Sequence, residues 1–113
     1  MKNVMKIDGY DAVINYDPEI EMFRGEFTNL NGGADFYASD IKGLHKEGQL
    51  SLNMFLEMCS EDGVNPRKNY SGKFNVRISP ELHESLVLKA SATGKSINQI
   101  VVESISNTVV SEL

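Results

Sequence analysis

The chain has 113 residues, of which 41 % are hydrophobic and 24 % charged, with a formal net charge of −5. That length suits one domain, or two very small ones that lean on a partner, and the apolar content excludes a wholly disordered chain. The negative balance argues against a surface that coats nucleic acid throughout, and it leaves room for a small basic reading edge.

Charge is unevenly spread: residues 1–72 hold seven Lys/Arg and twelve Asp/Glu, while residues 73–113 hold four of each. Between the two halves, Gly63-Val64-Asn65-Pro66-Arg67-Lys68-Asn69-Tyr70-Ser71-Gly72 has neither helical nor strand period, and it reads as a linker. The expected plan is an acidic domain over 1–62, a linker over 63–72 and a neutral domain over 73–113. No run of about eighteen apolar residues is present, so no bilayer-spanning helix is expected. Met1-Lys2-Asn3-Val4-Met5-Lys6 lacks the apolar stretch of a signal peptide. The single Cys59 cannot close an intramolecular disulfide, which fits a cytoplasmic location.

In chain order, a first short strand around Val4–Ile7 would turn at Asp8-Gly9. Tyr10–Tyr16 is rich in β-formers and is followed by the turn residues Asp17-Pro18-Glu19. Met22–Phe27 reads as a further strand ahead of the turn signal Asn31-Gly32-Gly33, and Ala34–Ala38 as another. Hairpin-length connections imply an antiparallel meander. Ser39 or Asp40 then caps a helix to about Asp62, with Ile41, Leu44, Leu52, Phe55, Leu56 and Cys59 as its apolar stripe. Gly43 and Gly48 weaken this helix by about 1 kcal/mol each relative to Ala, so packing on the sheet must hold its first half. The expected fold class is α+β.

Asp8, Asp11, Asp17, Glu19, Glu21, Glu26, Asp35 and Asp40 are numerous enough for a two-metal nuclease site. Most fall in turns or on solvent-facing strand positions, which reads better as a solvated acidic surface. His45 has no nucleophile or carboxylate at a diagnostic spacing, Cys59 falls on the apolar stripe, and Gly32-Gly33 lacks the residues of a phosphate-binding loop. No catalytic site, metal site or cofactor is expected.

Lys73–Ile78 alternates strictly, with Phe74, Val76 and Ile78 on one face and Lys73, Asn75 and Arg77 on the other. Ser79-Pro80-Glu81 starts a helix with a hydroxyl cap, a proline and an acid in the first turn. That helix carries Leu82, Leu86, Val87 and Ala90 and stops near Gly94. Ser96 and Gln99 have capping-box spacing ahead of a last helix bearing Ile97, Ile100, Val101, Ile105 and Val109. His83 falls near the start of the first of these helices and has no assigned role. A six-residue strand cannot stand alone, and forty residues bury too little for a stable monomer. A two-fold dimer with paired strands solves both problems and presents Lys73, Asn75 and Arg77 twice. Such a ribbon fits the major groove, where Arg reads G and Asn reads A. Lys95, Ser96 and Asn98, at the start of the last helix, are candidate phosphate contacts.

Gly72-Lys73-Phe74-Asn75-Val76-Arg77-Ile78-Ser79-Pro80-Glu81, followed by Gly94-Lys95-Ser96-Ile97-Asn98-Gln99, resembles an Arc/MetJ-type ribbon–helix–helix domain. The N-terminal half, with Tyr10–Tyr16, Phe23-Arg24-Gly25-Glu26-Phe27, Asn31-Gly32-Gly33 and the helix from Asp40, is similar to the HicB antitoxin domain, a reduced RNase-H-like fold. Together they resemble a HicB-family antitoxin. The resemblance implies two roles: binding and silencing a HicA-type toxin, a small basic RNase, and binding the promoter DNA of its own operon. It implies a homodimer, alone or as a dimer of dimers, and no residue is named for the toxin contact. The alternatives are a ribbon–helix–helix repressor with a ligand-sensing or orphan N-terminal domain, and a metal-dependent nuclease on the RNase-H-like half.

Overall fold

The computed structural model describes residues 3–110, which divide into two compact units between Ser71 and Gly72. The fold is α+β, with one four-stranded antiparallel sheet and three helices.

Strands β1 (Val4–Ile7), β2 (Tyr10–Asp17), β3 (Met22–Phe27) and β4 (Asp35–Ala38) lie side by side in chain order. Asp8 and Gly9, with φ of 48° and 80°, supply the two positive values that a tight hairpin needs, and this sets Ile7 opposite Tyr10. Strand alternation then puts Ile7, Ala12, Phe27, Phe36 and Ala38 on the core face and Lys6, Asp11, Arg24, Glu26 and Asp35 on the other.

Helix α1 (Ile41–Asp62) covers the core face. Of the two candidate caps, Asp40 serves: its Oδ1 accepts from the Gly43 N–H at 2.6 Å. The buried positions are Leu44, Gly48, Leu52, Phe55 and Cys59, the three- and four-residue spacing of one helix face. Two details correct the sequence expectation. Ile41 shares that face by spacing but is 67 % exposed. Side chains lean toward a helix's N-terminus, so the first residue leans off the end of the helix. Gly48, expected only to weaken the helix, is the point of closest approach to the sheet: a Cβ there would lie 2.4 Å from Ile7 Cδ1 and 3.1 Å from the Phe36 ring.

The segment over 63–72 is fastened to this first unit for most of its length. The Asn31 N–H donates to the Pro66 carbonyl at 2.8 Å and the Lys68 N–H to the Asn29 carbonyl at 2.9 Å. The Arg67 guanidinium stacks 3.9 Å over the Tyr10 ring, and the Tyr70 hydroxyl donates to Asn29 Oδ1 at 3.2 Å.

The second unit holds α2 (Pro80–Thr93) and α3 (Ile97–Val109). Ser79 caps α2, accepting from the Leu82 N–H, and Gly94 ends it in the left-handed conformation at φ 68°. Residues 73–79 form no strand in the single chain. A strand exists through the hydrogen bonds of a neighbour, and this unit has no second strand to offer. Among the described residues of this unit only Ala90 and Ile100 are buried.

Candidate nucleic-acid interface

The segment over 73–78 carries the candidate reading residues Lys73, Asn75 and Arg77. Phe74, Val76 and Ile78 are 70, 66 and 38 % exposed, so the apolar side of the segment has no cover within one chain. Together with Leu82, Leu86, Ile97, Ile100, Val101 and Ile105 they line an apolar groove of about 1000 Å³. Lys73 and Asn75 stand outside that lining, whereas Arg77 borders the groove as well. The structure therefore brings the three apolar positions together and leaves Lys73, Asn75 and Arg77 exposed.

At the start of α3 the capping box is complete. Ser96 Oγ accepts from the Gln99 N–H at 3.0 Å, and Gln99 Oε1 accepts from the Ser96 N–H at 2.8 Å. Asn98 is exposed beside it. Lys95 has a partner that local spacing did not reveal: its Nζ lies 3.0 Å from both carboxylate oxygens of Glu103, eight residues on. Both side chains are about half exposed, and such a pair contributes about 0–1 kcal/mol, little enough to exchange for a phosphate.

Several carboxylates of the first unit hold neighbouring groups in place. Asp8 accepts from Gln49 Nε2 at 2.7 Å, Asp17 from the Glu19 N–H at 3.0 Å, and Asp11 sits 3.7 Å from Lys6 directly across the strand pair. Arg24, on the outer face of the sheet, pairs with Asp35 and lies 3.6 Å from Glu26. The Asp35 hydrogen bond and charge, with Glu26 adding, raise the Arg24 pKa further above its already high ordinary value. Among the described residues no group of three or more His, Cys, Asp or Glu side chains is placed to hold a metal ion. Cys59 is buried in the core; His45 and His83 are exposed, the latter at the rim of the groove. No helix among the described residues is long and apolar enough to cross a membrane.

Neither a curated protein nor a solved structure matches the chain. Residues 55–105, just under half of the chain, match the sequence profile of the HicB family. The matched stretch runs from the second half of α1 through the connecting segment and α2 into α3. Over that stretch the chain is similar to the HicB family.

Proposed function

We propose that this protein is a non-enzymatic, cytoplasmic antitoxin that neutralises a HicA-type mRNA-cleaving toxin and represses its own operon. In this reading the first unit is a reduced RNase-H-like domain that binds the toxin. The second is a ribbon–helix–helix module that dimerises and reads promoter DNA.

The observation that carries the reading is the open apolar groove beside a segment that forms no strand within one chain. An exposed apolar surface of this kind marks an interface, and two copies related by a two-fold axis would cover it. Antiparallel pairing of the two segments over 73–78 gives each the ladder bonds it lacks alone. It also gathers Lys73, Asn75 and Arg77 from both copies on one outward ribbon, sized for the major groove. Lys95, Ser96 and Asn98 then contact flanking phosphates. The acidity of the first unit speeds encounter with a basic toxin.

The test is growth rescue. This reading expects a HicA-type toxin encoded beside this gene: its induced expression should arrest growth, and co-expression of the full chain should restore it. Arrest that persists with the antitoxin present at equal level contradicts the reading.

A further inference from the structure

Helix α1 carries a second apolar line, away from the sheet. Leu50, Met54 and Met58, each four residues from the next, are 50, 68 and 57 % exposed. On a helix, residues three or four apart are neighbours, so this is one continuous ridge. Glu47 precedes Leu50 by three residues, Glu57 follows Met54 by three, and Glu61 follows Met58 by three, which sets a carboxylate against every apolar member. All three glutamates are exposed, and among the described residues none of them is in an ion pair. The stripe from Glu47 to Glu61 runs about 21 Å along the helix and contains no basic residue.

The core of the first unit does not need this face. Leu44, Gly48, Leu52, Phe55 and Cys59 already close the helix onto the sheet. Three large apolar side chains held in water on one ridge are the signature of a contact surface. Methionines suit such a surface because their flexible thioethers adapt to a partner's shape. The charge pattern decides which partner. A second copy of the same face would set glutamate against glutamate, and nucleic acid or an anionic lipid surface would meet like charge.

We infer that the Leu50–Met54–Met58 ridge with Glu47, Glu57 and Glu61 is the docking surface for a basic protein partner, one presenting an apolar ridge edged by Lys or Arg. The identity of that partner as the toxin rests on the antitoxin reading. Apolar contact supplies the holding power of the interface, and the glutamates supply steering and selection.

Binding of a catalytically inactive form of the neighbouring toxin to the full chain, followed by surface plasmon resonance at two salt concentrations, tests this. Leu50→Ser, Met54→Ser and Met58→Ser together are expected to weaken binding at least tenfold, mainly through faster dissociation. Glu47→Gln, Glu57→Gln and Glu61→Gln together leave the packing intact; they are expected to slow association severalfold at low salt and to flatten its salt dependence. Urea unfolding of both variants followed by tyrosine fluorescence, with all four tyrosines in the first unit, serves as the check that this unit remains folded. Toxin binding that matches the unsubstituted protein in both variants overturns the docking surface and leaves the antitoxin reading standing. Failure of the unsubstituted protein to bind the toxin overturns both.

Discussion

The first unit closes on itself and the second does not. Ala12 and Leu52 are fully buried and Leu44 nearly so, at 0, 0 and 2 % exposure, whereas in the second unit Phe74, Val76, Leu82 and Leu88 are all more than half exposed. Both stretches are rich in apolar residues, so composition alone does not separate them. What separates them is hydrogen bonding. Four strands satisfy one another in the first unit, while the second unit has no strand among its described residues. If the second unit is completed by a second copy, as proposed, its stability depends on protein concentration.

The largest effect is expected at the face that the second unit leaves open. Val76→Asp puts a charge where the groove needs an apolar side chain, and it should abolish both dimer and DNA binding. Sedimentation velocity and DNA binding check this together; a folded dimer with Asp at position 76 would mean that the ribbon faces are inverted. Next in size, Leu52→Ala should destabilise the first unit by about 2–5 kcal/mol. Tyr10, Tyr16, Tyr37 and Tyr70 all lie in that unit and the chain has no Trp, so tyrosine fluorescence during urea unfolding follows this unit alone. The midpoint should not move with protein concentration, and a midpoint that does move would erase the distinction between the units.

Arg77→Ala should cost about 1–3 kcal/mol in specific DNA binding with the dimer intact, and unchanged affinity would remove Arg77 from the reading set. The smallest effect is a balance of two. Gly48→Ala gains about 1 kcal/mol of helix propensity and loses about 1–3 kcal/mol to crowding against Ile7 and Phe36. The net expectation is a modest loss in the same urea experiment. A stabilised protein would show that the Ile7 side chain swings aside freely.

Much of the local architecture was legible because its signals are local. Asp8-Gly9 predicts the hairpin that joins β1 to β2, Ser96 and Gln99 predict their own capping box, and strand alternation separates Phe74, Val76 and Ile78 from Lys73 and Asn75. What escaped depends on residues far apart in the chain. The fastening of Pro66 and Lys68 to Asn31 and Asn29 is backbone to backbone and leaves no side-chain pattern to read. The fit of Gly48 depends on Ile7 and Phe36, far away in the chain, and the Lys95–Glu103 pair spans eight residues, beyond any local spacing signal. At the candidate interface, the apolar half of the ribbon was readable from alternation. The bordering of the groove by Arg77 was not, because it depends on how the segment settles over α2 and α3.

The central claim is that the second unit, once paired, reads DNA. Fluorescence anisotropy of the full-length protein on DNA from just upstream of its own gene, across a salt series and against scrambled DNA, tests it most directly. The account predicts binding that exceeds the scrambled control and falls steeply with salt, as phosphate contacts require. A protein verified as a dimer that binds both DNAs equally, or neither, would contradict it.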